Sequence, residues 1–129
     1  MEILVPISLG ELYDKITILE IKKEKISDDN KLKNIKKELE ELSMILNKIW
    51  DKVGIDNVMF VHIKDINKKL WDVEDELRLK EKAHEFDEKF IQLARGVYFW
   101  NDKRANVKKE INLKYGSNII EEKQYTDYA

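Results

Sequence analysis

From Leu32 onward an apolar residue recurs at alternating steps of three and four: Leu32, Ile35, Leu39, Leu42, Leu46, Ile49 and Val53, then Met59, Ile63, Ile66, Leu70, Val73 and Leu77. Such a 3.5-residue period is the seam of one helix against another, and no strand reproduces it. Two long seams in succession confine the chain to helix-on-helix packing. Between them stands Gly54, suited to a left-handed residue at a helix end, with Ile55 placed to contact Trp50. Asp56 then suits the cap of the next helix. So short a connection predicts that the second and third helices run antiparallel as a long hairpin. Their outer faces carry acid-before-base pairs four apart, Asp65 with Lys69, Glu74 with Arg78 and Glu76 with Lys80, which read as solvated surface.

The remaining elements follow from their punctuation. In "ISLGELYDKITILE", residues 7–20, Ser8 and Glu11 form a capping box, and Ile7 with Leu12 forms a hydrophobic staple around it. The first helix that follows carries Leu9, Leu12, Ile16, Leu19 and Ile26 on one face. Ile18 and Ile21 fall outside it, and a band this wide implies more than one neighbour. "SDDNK", residues 27–31, is a polar break rich in turn formers. The seam fails again in "LKEKAHEFDEK", residues 79–89, which predicts a turn near 83–87, with Asp87 as cap and Phe86 and Ile91 as its staple. A fourth helix then runs to about Tyr115, with Phe90, Leu93, Val97, Trp100, Val107 and Ile111 on its stripe and Gly116 as its stop. The expectation is one all-α domain over 1–129, a four-helix bundle in which helix one packs on helix four. Residues 1–7 and 117–129 are expected to be short extended arms.

Composition removes several functions. Charged residues make up 39%, but 24 Lys and Arg stand against 26 Asp and Glu, a net charge of -2 that draws neither nucleic acid nor an anionic membrane. The Lys-rich stretches "KKEK" and "KNIKKELEE" are interleaved with acids, which disfavours nucleic acid further. With no Cys, thiolate chemistry of every kind is absent. "MEILVPIS" has an acid where a signal peptide would carry a base, and no apolar run approaches the ~20 residues that span a bilayer. A cytoplasmic location is expected. Gly-rich phosphate loops, G-x-S-x-G and H-E-x-x-H do not occur. Nor do "ELEEL" and "WDVEDEL" supply the Glu-x-x-Asp set of all-helical nucleotide pyrophosphatases. His62 and His84 share no ligand spacing, and capping explains the acids around His84 better than a metal does. No metal or cofactor is expected, and the chain leans away from an enzyme.

One local rule is broken. Arg104 occupies the seam position midway between Trp100 and Val107, where an apolar residue belongs. A buried unpaired guanidinium is costly, so it either snorkels or meets a carboxylate. Asp14 and Glu20 on helix one are the first candidates, with Asp102 as a local one. Two chemical readings stay open: a salt bridge that fixes helix register, or an anion site in which Arg104, Lys108 and Lys15 hold a carboxylate or phosphate. An acidic residue of a partner protein is a third. Asp14, Lys15, Glu20, Asn101, Asp102, Arg104 and Lys108 are therefore the candidate site residues. Gly96, within the same helix, is expected to be a close-packing point. Tyr98, Phe99 and Trp100 cannot all face one core. Together with Ile18, Ile21, Met44, Trp50, Phe60 and Val61, Tyr98 makes an apolar surplus that predicts a homodimer.

The segments "ISLGELYDKITILEIKKEKI", "LWDVEDELRLKE" and "FIQLARGVYFWNDKRANVKKEINLKYGSNIIEEKQY" resemble a family of short bacterial proteins catalogued as a domain of unknown function. "NDKRA" and "EEKQY" are the more specific parts. The resemblance implies a single compact unit joining the capping-box helix to the "NDKRA" helix, and it brings no catalytic residues. Two functions remain: a non-enzymatic interaction or scaffold module acting as a homo-oligomer, with a further protein partner possible, and a small-anion binder or minor enzyme centred on Arg104.

Overall fold

A computed structural model describes residues 1–54 and 56–128, and of Val53 the backbone alone. The chain forms four helices, α1 (Leu9–Lys25), α2 (Asp29–Val53), α3 (Val58–Lys82) and α4 (Glu88–Lys114). No strand occurs among the described residues. The expected contact of Ile55 with Trp50 and the side chain of Val53 lie outside them.

Local chemistry sets the helix ends. Ser8 accepts a hydrogen bond from the Glu11 backbone N–H at 3.1 Å and starts α1, and Asp28 does the same for α2 through Lys31 at 2.9 Å. Asp87 caps α4 through Phe90 at 2.9 Å. Gly54, with φ of 66°, closes α2 in the left-handed region that penalises a side chain, and Gly116, with φ of 64°, follows α4. At α3, Asp56 accepts from the Val58 N–H at 3.1 Å, its carboxylate meets Lys114 at 2.9 Å, and its own N–H donates to the Tyr115 hydroxyl. The start of α3 is thereby tied to the end of α4.

Two expected caps differ. Glu11 does not close a capping box on Ser8; its carboxylate meets Lys108 at 2.6 Å, because α4 lies alongside and an ammonium is a stronger partner than a backbone N–H. Phe86 packs edge-on to Phe90 at 5.2 Å between ring centroids, and the expected staple pair, Phe86 and Ile91, both stay largely exposed.

The breadth of the apolar band on α1 decides the architecture. Leu12, Tyr13, Ile16, Leu19 and Ile21 are all buried, and α1 packs against α2, α3 and α4 alike. Around it the core gathers Leu46 from α2, Ile63, Ile66 and Leu70 from α3, and Val107 and Ile111 from α4. Helix one rests on helix four as expected.

The second and third helices join across a short turn as expected, but not as a closely packed pair. Trp50 and Phe60 meet near the turn, their centroids 6.4 Å apart, yet among the described residues no Cα of α2 comes within 8 Å of a Cα of α3. The extensive neighbour of α3 is α4, while α2 packs on α1. A seam specifies that a helix needs a partner, and the wide band of α1 supplies that partner for both. This packing also absorbs part of the apolar surplus, since Ile21 is buried and Trp50 and Phe60 pack against the core, whereas Met44, Val61 and Tyr98 remain exposed.

Among the described residues both arms lack helix and strand. Residues 117–128 turn back along α4, with Glu121 and Glu122 meeting Lys108 and Lys109, and Tyr128 reaching Asp102 and Tyr98. We call this segment the strap. No helix among the described residues is long and apolar enough to cross a membrane.

Candidate functional site

Where α1, α3 and α4 meet, the core changes from apolar to polar. Asp14 and Thr17 on α1 and Asn67 on α3 are buried side by side. The Asn67 side-chain amide donates to Asp14 Oδ1 at 2.9 Å and to Thr17 Oγ1 at 3.0 Å. Thr17 in turn donates to the backbone carbonyls of Tyr13 and Asp14, the back-bonding that satisfies a hydroxyl inside a helix. The remaining Asn67 oxygen accepts from Arg104 Nη1 at 3.1 Å, and Arg104 Nη2 donates to Asn101 Oδ1 at 2.6 Å.

Arg104 is half-buried, and both of these hydrogen bonds end on neutral amide oxygens. The expected ion pair with Asp14 or Glu20 is thus replaced by an amide relay, Arg104 to Asn67 to Asp14. Asn67 projects from α3 into the space between α1 and α4 and reaches both groups first. Glu20 makes no contact with this cluster and pairs instead with Lys64 at 2.8 Å. Asp102 accepts from Tyr128 in the strap at 2.9 Å.

Lys108 is the cation that carboxylates surround. Its side chain is 11% exposed and lies 2.6 Å from Glu11, 3.1 Å from Glu121 and 3.7 Å from Asp14. Burial alone lowers the pKa of this ammonium, but Glu11, Glu121 and Asp14 outweigh it and hold the group above its ordinary value. Lys108 correspondingly draws the Glu121 carboxyl below its ordinary value. Lys15 is exposed and touches the cluster through Glu11 at 3.7 Å.

Of the seven candidate residues, the structure therefore brings Asp14, Asn101, Arg104 and Lys108 into one network, leaves Lys15 at its margin and places Glu20 and Asp102 elsewhere. Asn67, Thr17, Glu11 and Glu121 complete it and were not anticipated. Asn67 and Thr17 carry a weak signal: each lies on a helical row of apolar residues, Asn67 between Ile63 and Leu70, Thr17 between Tyr13 and Ile21.

A close backbone contact holds the network in register. The Gly10 N–H donates to Asn112 Oδ1 at 2.7 Å, and a Cβ at Gly10 would sit 2.6 Å from the Lys108 carbonyl oxygen. Gly96, the expected close-packing point, has ordinary room, its nearest contact for an added Cβ being Val73 at 3.8 Å. At the α3–α4 turn, Lys80 holds Glu85 at 3.0 Å and Asp87 at 2.9 Å.

What this arrangement does chemically is neutralise itself. Three carboxylates face Lys108, and two of the guanidinium N–H groups of Arg104 are held by amides, an arrangement that favours one helix alignment. The sequence pattern of one protein family matches residues 3–128. The chain belongs to DUF6165, a family of unknown function. The DUF6165 match spans every residue of the network, from Glu11 to Glu121, together with most of both arms. No curated protein and no solved structure matches the chain.

Proposed function

We propose that this DUF6165 chain is a non-enzymatic interaction module that works as a homo-oligomer in the cytoplasm, with a protein rather than a nucleic acid or membrane as any further partner. The observation that carries this reading is the first arm. Ile3, Leu4 and Val5 are 74%, 87% and 66% exposed, a run of apolar residues that the described residues leave uncovered. This arm leaves α1 beside the strap, where the Leu9 N–H donates to Ser117 Oγ at 3.3 Å. Leu113, Ile119 and Ile120, which flank Ser117 in sequence, are exposed as well. Exposed apolar residues in such number support an interface.

The anion-binding alternative has less support. Lys108 is committed to Glu11, Glu121 and Asp14, and Lys15 to Glu11, so two of the three cations proposed for an anion are already neutralised.

Light scattering across micromolar concentrations tests the reading. The full chain is expected to approach twice its monomer mass, and Leu4→Asp is expected to return it to a monomer with the same helical content. A monomeric mass throughout overturns the proposal.

A further inference from the structure

The strap and α4 border an open cleft of about 740 Å³ that meets the polar network only at Asn101 and, through the Lys123–Glu121 pair, at Glu121. That volume is the size of a small-molecule site. On the helix side, Ala94, Val97, Tyr98, Asn101 and Asp102 line it, residues spaced so that one face of α4 presents them together. Tyr125 and Tyr128 line it from the strap. The Tyr98 and Tyr128 rings stand nearly perpendicular, 76° apart with centroids at 5.0 Å, so their faces and edges turn a corner of the cleft.

The charged residues of the cleft are Asp102 on α4 and Lys123 on the strap. Asp102 accepts a hydrogen bond from the neutral Tyr128 hydroxyl at 2.9 Å, and among the described residues it forms no ion pair. Lys123 is engaged with Glu121 at 3.9 Å and lies 6.0 Å from the centroid of the Tyr125 ring, the place over that face which an incoming cation would take. Three tyrosine rings lining one cleft with a carboxylate combine two attractions for a cation, the ring quadrupole and the Coulomb field. Ala94 and Val97 add apolar surface, which a hydrated metal ion or a bare ammonium would leave unused and which methyl groups would cover.

We infer that the cleft between α4 and the strap binds a small methylated ammonium compound, caged by Tyr98, Tyr125 and Tyr128 with Asp102 as its counter-charge. The proposal does not depend on self-association, since the cleft is built within one chain. It leaves the Arg104 and Lys108 network intact, touching it only at Asn101 and, through Lys123, at Glu121.

Isothermal titration of the full chain with choline and with 3,3-dimethylbutan-1-ol tests it, because the two differ chiefly in the positive charge. Choline is expected to bind and the neutral alcohol to bind at least tenfold more weakly. Tyr98→Ala and Asp102→Asn are each expected to weaken choline about tenfold without altering helical content. Tyr128→Leu is the control for a strap that has merely come loose, and it too is expected to weaken binding, whereas Tyr128→Phe, which keeps the ring, is expected to retain it. Equal affinity for choline and the alcohol, absence of choline binding at 10 mM, or binding only to phosphatidylcholine vesicles and not to free choline would each overturn the assignment.

Discussion

Asn67 stands between Asp14 and Arg104, donating to the carboxylate at 2.9 Å and accepting from the guanidinium at 3.1 Å. One neutral side chain thereby satisfies an anion on α1 and a cation on α4. Replacing it by Leu keeps the branched shape and takes one partner from each, leaving Arg104 with Asn101 and Asp14 with Lys108. Asn67→Leu is expected to destabilise the fold by about 3 kcal/mol, read from urea unfolding, since each buried group left without its partner costs 1–3 kcal/mol. Adding Arg104→Met to that background is expected to cost less than it does alone, because the guanidinium has already lost one acceptor. Strict additivity of the two would show that the relay is not a working unit.

Gly10 and Gly96 are expected to respond in opposite directions to alanine. At Gly10 the new methyl would meet the Lys108 carbonyl at 2.6 Å, and backbone cannot yield as a side chain can, so α1 must move off α4. A loss of about 1–3 kcal/mol is expected from such overpacking. At Gly96 the methyl has room beside Val73, and Ala is the better helix former, so a gain of about 0.5–1 kcal/mol is expected. Thermal unfolding of the two variants checks both signs at once.

Tyr13 is fully buried against Trp50 and Phe60, and none of the described residues pairs with its hydroxyl. Burial pushes the phenol pKa well above its ordinary value, with Tyr115 and Asp56 adding to the effect. Tyr13→Phe removes a desolvated hydroxyl and keeps the ring. It is expected to be neutral or to stabilise by up to about 1 kcal/mol in urea unfolding, against the loss that deleting a satisfied hydroxyl would bring.

The contact between Lys108 and Glu121 sets a pH range for the strap. Glu121 titrates below its ordinary value of 4.5 in the folded chain, so the unfolded chain binds its proton first. The stability it contributes is present above pH 4.5 and is lost as pH falls through the depressed folded value. Lys108 titrates above its ordinary 10.5, and its contribution is complete below that pH and is lost as pH rises through the folded value. Urea midpoints measured against pH are expected to fall on the acid side, and Glu121→Gln is expected to flatten part of that fall.

Helix ends were legible because capping is a local matter. Ser8, Asp87 and Gly54 sit where their own neighbours need them, and no distant residue enters the argument. The wide band of α1 was legible for the same reason, and with it the expectation of several neighbours. Pairing was not, since the seams of α2 and α3 look alike whether they face each other or face α1. The polar network was half legible. Arg104 stood out by breaking a seam, whereas Asn67 and Thr17, though flanked by apolar residues on their helical rows, leave the seam of their own helix unbroken. Gly10 gave no sign at all, because its role lies in the carbonyl of Lys108, far along the chain.

That distance has a consequence for the order of events during folding. The first free N–H groups of α1 are answered by Ser117 and Asn112, partners 108 and 102 residues further on. Contacts of such separation form late, after the loop they close has been brought together. On a ribosome, α1 therefore emerges well before the residues after α4 that complete it, and waits for them.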